Sequence, residues 1–438
     1  MGKRIGIGLL GLGTVGAGVA NIIQTPLGRN PLVEGIELVR VAVRDLNRSR
    51  AASIPSSLLT QNPLEVVDDP SVEVVVEVMG GIEPARSLIM RAIAAGKSVV
   101  TANKAVIARH GVEIAAAARA SGVYVLIEAA VGGGIPIIEP LKQSLGGNRI
   151  LKVSGIINGT TNYILSRIAK EGVAYSEVIK EAQELGYAES DPAADVEGFD
   201  AADKIAILSG LAFGGPIKRE NIPTEGITNL NSLDVDYANK LGYEIKLLAV
   251  AERLAQGTDN STSLPLAVWV RPTLVPKEHP LAGVNGVNNA ILVEGDPIGN
   301  VMFYGPGAGA GPTASAVVAD ILNLAGIRVI KNSTNCLDPL LAGSSWRNCH
   351  VVDPSEIIQK HYLRLKTKDN PGVIGRIGSV FGNHDVSIQS IVQFTANEDE
   401  AEIVVITHEV KQSQITASLN AINTQEEIKG LTAQMVCI

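Results

Sequence analysis

Aromatic residues make up only 3% of this 438-residue chain, and cysteine occurs three times, at Cys336, Cys349 and Cys437. A core with so few rings has to be packed by Val, Ile, Leu and Ala, within a hydrophobic share of 46%. That mix suits parallel sheets covered by helices, whose strands are apolar on both faces. Three scattered cysteines form neither a disulfide framework nor a zinc pattern, which points to a reducing compartment. The six histidines likewise fall at no metal-ligand spacing. Excess positive charge is also missing: a net charge of −8 argues against general nucleic-acid binding, though not against a local basic pocket for a phosphate. No run of ~18 uninterrupted apolar residues suggests a membrane span. The opening MGKRIGIGLLGLG lacks the apolar core and cleavage site of a signal peptide. The expectation is a cytoplasmic protein with no nucleic-acid or membrane partner. No G-x-S-x-G nucleophile elbow, internal repeat or low-complexity tract is present.

What is abundant is glycine, 45 residues or about one in ten, against a usual ~7%. The length suggests two to four domains at roughly 100–200 residues each. Residues 3–10 read as a buried strand, followed by a glycine run and an apolar-periodic helix through Val19–Ile23. Further strands are expected at Glu37–Val43, Val72–Val78, Ser98–Thr101 and Val123–Ile127, with a helix at Ile114–Ala120. Such alternation implies an α/β fold, a Rossmann-type doubly wound sheet over residues 1–130. From Gly132 the texture changes to an α+β catalytic and dimerisation domain over 131–304. Strands are expected there at Leu151–Ile157 and Leu264–Val270. Helices are expected at Ile138–Ser144, Tyr175–Leu185, Ala201–Ala212 and Tyr237–Glu252. A glycine-dense loop, Gly305–Gly311, opens a helix at Thr313–Leu324, and residues 305–340 are expected to complete the first domain. Residues 341–359, with Trp346, Arg347 and Pro354, read as a linker. From 360 to 438 the order βαββαβ makes a ferredoxin-like sandwich: strands Tyr362–Thr367, Val386–Phe394, Glu402–His408 and Leu431–Ile438, helices Val373–Phe381 and Ser413–Ala421.

The chemistry begins at Gly11-Leu12-Gly13-Thr14-Val15-Gly16. Gly11 permits the tight turn, Gly13 lets the backbone approach a pyrophosphate, and Gly16 allows close helix–strand packing. The helix N-terminus adds free N–H groups and partial positive charge. At the end of the second strand an acidic residue would bind ribose hydroxyls; here stands Arg44, with Asp45 beside it and Arg48 and Arg50 nearby. Arginine pairs with a 2′-phosphate, so NADP(H) is preferred and Asp45 keeps NAD(H) open. The alternative is a solvated Arg/Asp turn.

Thr101-Ala102-Asn103-Lys104 follows a buried strand at the carboxyl edge of the sheet, where ligands of open α/β sheets bind. Lys104 is either a cofactor- and substrate-reaching cation or an ordinary surface lysine. Asp200 and Lys204, four apart, share a helix face, and alone read more naturally as an exposed ion pair. The stretch before them places Glu189, Asp191, Asp195, Glu197 and Asp200 within twelve residues, a carboxylate group able to hold a substrate ammonium. The apolar Ile205, Ile207 and Leu208 suggest a desolvated Lys204, with a lowered pKa suited to proton transfer. Glu128–Ile135 supplies a carboxylate and free carbonyls for a hard cation; spacing cannot distinguish this from a glycine hinge between domains, and the residues alone favour the hinge. The Gly305–Gly311 loop is either a second backbone cradle for the cofactor or a flexible interdomain loop.

Together GLGTVG, TANKA, EAAVGGGIPII, NGTTNYIL, ELGYAESDPAADVEGFDAADKIAIL and GPGAGAGPTASAVVAD resemble homoserine dehydrogenases, in order and over nearly the whole chain. The last 80 or so residues, with DNPGVIGRIGSVFGNHDVSI, resemble an ACT regulatory domain. No aspartokinase precedes the glycine loop, so the resemblance is to a monofunctional enzyme. It implies NAD(P)-dependent interconversion of L-aspartate 4-semialdehyde and L-homoserine. Lys204 is implied as the proton-exchanging lysine and Lys104 as a second active-site lysine that touches the cofactor. Gly186, Glu189, Asp195 and Asp200 are implied at the substrate and Gly309 at the cofactor. Glu128, Val131, Gly133 and Ile135 are implied around a sodium ion through one side chain and main-chain carbonyls, against the hinge reading. Feedback by an amino acid, threonine, at the ACT domain and a homodimer or homotetramer are implied as well. The alternatives are another NADP-dependent dehydrogenase of a small amino-acid carbonyl and a catalytically silent sensor; the intact Lys104, Asp200 and Lys204 set argues against the sensor.

Overall fold

The fold was obtained as a computed structural model, which describes residues 4–48, 54–188, 191–254, 263–331, 348–395 and 400–438. The first unit runs β1 (Ile5–Leu10), α1 (Thr14–Gln24), β2 (Ile36–Ala42), β3 (Leu59–Thr60), α2 (Pro63–Val67), β4 (Val74–Glu77), α3 (Ala85–Ala94), β5 (Ser98–Thr101), α4 (Lys104–Ser121) and β6 (Val125–Leu126). The six strands pair in parallel in the order β3-β2-β1-β4-β5-β6, the doubly wound arrangement. All six residues of β1 are buried, as a strand covered by helices on both sides requires. Each fully buried Ile or Leu adds about 1.5–3 kcal/mol.

The second unit holds α5 (Ile138–Lys142), β7 (Arg149–Ile156), α6 (Gly159–Glu171), α7 (Tyr175–Glu184), α8 (Ala193–Val196), α9 (Phe199–Phe213) and α10 (Ser232–Lys240). It continues through β8 (Tyr243–Arg253), β9 (Ser263–Pro276), β10 (Asn288–Asp296) and β11 (Gly299–Pro306). The expected helix Tyr237–Glu252 is overturned. The helix ends at Lys240, Gly242 takes φ +85°, and Tyr243–Arg253 is a central strand paired with both β7 and β9. Buried on both faces, β8 shows no alternation, so its apolar run matches a buried helix equally well.

Helix α11 (Ala310–Lys331) returns to the first sheet, where Ala314, Val317 and Ile321 join the core of Ile5, Ile7 and Val19. Its Ala310–Arg328 stretch is long and apolar enough to cross a membrane, yet it packs against α1 as a core helix.

The final unit comprises β12 (Asn348–Val351), β13 (Ile358–Lys368), α12 (Val373–Asn383), β14 (Ile388–Thr395), β15 (Glu400–Thr407), β16 (Val410–Lys411), α13 (Gln412–Ile422) and β17 (Ile428–Cys437). The expected βαββαβ order is present. The linker reading of 341–359 gives way in its described part: β12 pairs in parallel with β9, and β13 begins at Ile358. Trp346 and Arg347 lie outside the described residues. Strand β17 pairs with β9 at Val436–Thr273 and Cys437–Leu274, so the last unit extends the middle sheet into one eleven-stranded sheet. On the face of β13 away from α12 and α13, α10 packs down. Arg364 Nη1 meets Glu402 Oε1 at 2.7 Å and its Nε meets Asp234 Oδ1 at 2.5 Å, with all three side chains buried.

Candidate active site

The first glycine loop has the geometry its spacing implies. Gly11 takes φ +103°. A Cβ at Gly16 would fall 2.1 Å from the Gly11 oxygen, whereas one at Gly13 would meet nothing within 4 Å. Gly16 therefore secures the helix–strand contact, while Gly13 leaves open the space before α1. No side chain caps α1, so the N–H groups of its first turn remain available to an anion. Leu12 is buried under the loop, and Thr14 and Val15 open the helix beyond it. Arg44 is exposed just past β2, its carbonyl bonded by Gln61 Nε2 at 3.0 Å. Arg50 lies outside the described residues.

At the carboxyl edge of the same sheet a buried relay fixes the second motif. Glu77 Oε1 accepts the Met79 N–H at 2.8 Å, and its Oε2 accepts the Thr101 hydroxyl at 2.7 Å. Thr101 Oγ1 takes the Asn103 N–H at 3.0 Å, and Asn103 caps α4 through Val106 N while donating to the Gly81 carbonyl at 2.6 Å. Lys104 is thereby launched from the first position of α4. Arg109 and Arg219 grip Asp203 from two sides, each at 3.1 Å, so α4 is held against α9.

The ion pair at Asp200 and Lys204 is not an exposed one. Lys204 Nζ lies 2.7 Å from Asp200 Oδ2 and donates to the Ile157 carbonyl at 2.7 Å, while Lys104 Nζ lies 2.5 Å from Asp200 Oδ1. Asp200 and Lys204 are buried and Lys104 is half-exposed. Burial alone would raise the Asp200 pKa, but the two ammonium groups overcome it and hold the carboxyl well below its usual range. Burial lowers the Lys204 pKa, helped by the Lys104 charge and opposed by Asp200. Lys104 goes the other way: burial lowers its pKa, but Asp200 outweighs that and leaves it raised. Two lysines on one carboxylate are thus pushed apart, one toward the neutral amine and one toward the stable cation.

Asn158, not singled out by its sequence, organises the acids. As the N-cap of α6 it donates from Nδ2 to Asp195 Oδ1 at 2.7 Å and Asp200 Oδ2 at 2.9 Å. Burial and the charge of Asp200 raise the Asp195 pKa. Of the five clustered acids, only Asp195 and Asp200 converge here among the described residues. Asp191 caps the Ala193 N–H and Glu197 accepts from Thr228 at the surface, while Glu189 lies outside the described residues. Gly186, at φ +75°, ends α7 beside Tyr187, whose carbonyl accepts from Thr160 at 2.6 Å.

The two later glycine segments interlock. A Cβ at Gly133 would stand 2.3 Å from the Gly307 oxygen, and the Gly134 N–H donates to the Pro306 carbonyl at 3.1 Å. Glu128 is buried with its carboxylate spent on the N–H groups of Ile137, Ile138 and Glu139 at 2.7–2.9 Å. Its own N–H is held by Asp320 of α11. No backbone donor reaches the carbonyls of Glu128, Val131, Gly133 or Ile135 among the described residues. These carbonyls are thus left without a backbone donor, while the Glu128 carboxylate, the implied side-chain ligand, is engaged by three main-chain N–H groups.

A cavity of about 290 Å³ joins these pieces, lined among others by Val15, Lys104, Gly133, Lys204, Gly307 and Thr313. It brings Val15 of the first glycine loop, both lysines and Gly307 and Ala308 of the second glycine loop together; Gly309, at φ +124°, follows Ala308 in the chain but is not in the lining.

Family models match the chain in three segments: homoserine dehydrogenase, NAD binding domain, over residues 11–128; homoserine dehydrogenase over 136–322; and ACT domain over 361–427. A homoserine dehydrogenase of Synechocystis sp. is 54% identical over 97% of both chains. The crystal structure of a homoserine dehydrogenase from Thiobacillus denitrificans superposes with a TM-score of 0.92 at 42% identity, covering 100% of this chain and 98% of that one. A hyperthermophilic archaeal homoserine dehydrogenase in complex with NADPH superposes at 0.60 with 27% identity, over 73% of this chain and 97% of its own.

Proposed function

The chain belongs to the homoserine dehydrogenase family, and on that premise we propose that it interconverts L-aspartate 4-semialdehyde and L-homoserine with NADP(H) preferred over NAD(H). The observation that carries the reading is the Lys104–Asp200–Lys204 cluster opening on the cavity that also receives the first glycine loop. The dinucleotide, when bound, supplies or accepts the hydride. Lys204, with its lowered pKa, gives a proton to the developing alkoxide in reduction and takes the hydroxyl proton in oxidation. Lys104, kept charged by Asp200, stabilises negative charge on that oxygen. Asp200 is occupied by both lysines and Asn158, so its part is to orient them. Asp195, which feels the Lys204 charge but makes no direct ion pair among the described residues, is the acid left to receive the substrate ammonium, with Glu189 and Gly186 completing that end. The exposed Arg44 supports the 2′-phosphate preference.

A sodium ion on the carbonyls of Glu128, Val131, Gly133 and Ile135, a threonine effector at the ACT domain, a homodimer or homotetramer and a cytoplasmic location complete the proposal. Exposed Met302 and Tyr304 on the edge strand β11 support association. Homoserine with NADP⁺ or NAD⁺, followed at the reduced-nicotinamide absorbance band with and without threonine, tests the central reading. A rise in absorbance faster with NADP⁺, and slowed by threonine, is expected; no rise with either cofactor overturns it.

A further inference from the structure

Asn289 is out of pattern with its strand. The following residues of β10, Ala290 to Val293, are all buried and apolar, and Asn289 is buried as deeply, at 1% exposure. Neither its Oδ1 nor its Nδ2 has a hydrogen-bond partner among the described residues. A carboxamide offers two donors and two acceptor sites, and burying it unpaired is costly where an apolar side chain of the same shape would not be.

Its position is specific. On one side its carboxamide lies against the Gly307 main chain: a Cβ at Gly307 would stand 2.0 Å from Nδ2 and 2.5 Å from Oδ1. On the other side lies Gly159, whose added Cβ would stand 3.6 Å from Oδ1. Gly159 is the first residue of α6, directly after the Asn158 that holds Asp195 and Asp200. Gly307 and Ala308 line the cavity with both lysines. The unpaired amide thus sits directly beneath the second glycine loop, between that loop and the helix that organises the acids.

We propose that Asn289 is a positioning residue for the dinucleotide, pairing its carboxamide with the Gly307–Gly309 main chain when that loop closes on the bound cofactor. The inference rests on the reading that these loops bind a dinucleotide. Glycine suits the loop because its bare N–H and C=O groups reach the amide without a side chain between them. The cost of an unpaired amide is then borne without cofactor and relieved with it, so closure gains the two hydrogen bonds.

The test compares wild type with Asn289→Leu, of similar size, and Asn289→Ala, using NADPH fluorescence for affinity and thermal unfolding with and without NADPH. Both variants are expected to bind NADPH roughly tenfold or more weakly. Asn289→Leu should melt no lower than wild type without cofactor and gain less from its addition, an outcome a purely structural asparagine would not give. Should Asn289→Leu fail to fold, the affinity of Asn289→Ala carries the test. Either folded variant binding NADPH within twofold of wild type overturns the inference, as does a folded Leu variant whose melting temperature rises with NADPH as much as that of wild type. Failure of the wild type itself to bind NADPH would instead overturn the dinucleotide reading.

Discussion

Asp200 and Lys204 stand one turn apart on α9, and the carboxylate meets the ammonium at 2.7 Å in a buried site where Lys104 takes the second carboxylate oxygen. Lys204 also donates to the Ile157 carbonyl, so its ammonium is fixed in direction as well as shifted in pKa. Replacement by alanine removes the proton donor and leaves the first glycine loop untouched. Lys204→Ala is expected to lower turnover by about 10²–10⁴-fold with NADPH affinity little changed. Steady-state rates beside a fluorescence titration check it, and turnover near that of wild type refutes the role.

The same group sets a pH limb. Reduction needs the charged ammonium, so its rate falls as pH rises through the lowered pKa of Lys204. Oxidation needs the neutral amine, so its rate rises through the same value. Asp200 stays ionised throughout, its carboxyl being held well below the usual range. Asp200→Asn removes the charge that opposes the lowering, so both limbs should move to lower pH. Profiles of kcat measured in both directions decide; a limb that stays in place or moves up contradicts the assignment.

Arg44 is exposed past β2 and makes no side-chain contact that would hold it elsewhere among the described residues. A guanidinium paired with a phosphate makes charge-assisted hydrogen bonds worth about 1.5–3 kcal/mol. Arg44→Ala should therefore weaken NADPH binding roughly ten- to a hundredfold and leave NADH binding nearly unchanged. Equal loss for both cofactors would show that Arg44 does not read the 2′-phosphate.

The doubly wound sheet was legible because β1, β2, β4 and β5 are short apolar runs punctuated by glycine and by helical periods. Strand β8 was not, because a strand buried on both faces carries no period; the αL glycine at Gly242 was the sign of its start. The extension of the middle sheet by β17 was illegible too, since two pairs of residues, Val436–Thr273 and Cys437–Leu274, make the join. At the site, Lys104, Asp200 and Lys204 were found by position and resemblance, but spacing alone read the last two as an exposed pair. Asn158 escaped because an N-cap asparagine is ordinary; only the fold shows that its amide faces two carboxylates.

Gly133 is a steric necessity rather than a hinge. It takes φ +57°, and a Cβ there would meet main-chain atoms of Gly307 at 2.3–2.4 Å, with no flexible side chain to yield. Gly133→Ala must push the second glycine loop away from the cavity, and displacement of about 1 Å costs on the order of a hundredfold in rate. Turnover and cofactor affinity should fall together. Gly147→Ala, where a Cβ meets nothing within 4 Å, should leave both unchanged. Normal kinetics in Gly133→Ala would show that the two loops move independently.

The join between α10 and the final unit is held by buried charge. Arg364 reaches Asp234 through Nε at 2.5 Å and Nη2 at 3.1 Å, and Glu402 through Nη1 at 2.7 Å. The Tyr237 hydroxyl donates to Glu402 at 2.7 Å, and its ring stacks on Phe394 at 4.4 Å. Asp234 is the α10 half of this ion pair, so Asp234→Ala leaves a buried guanidinium short of one partner. Removing one member of such a buried pair costs about 3–5 kcal/mol. Chemical denaturation should show that loss, and an Asp234→Leu/Arg364→Met/Glu402→Gln triple variant should recover part of it, because no desolvated charge is left and the carboxamide carbonyl brought in by Glu402→Gln still accepts from Tyr237. An Asp234→Ala variant as stable as wild type would mean that the packing of Tyr237 on Phe394, not the ion pair, holds α10 to the ACT sheet.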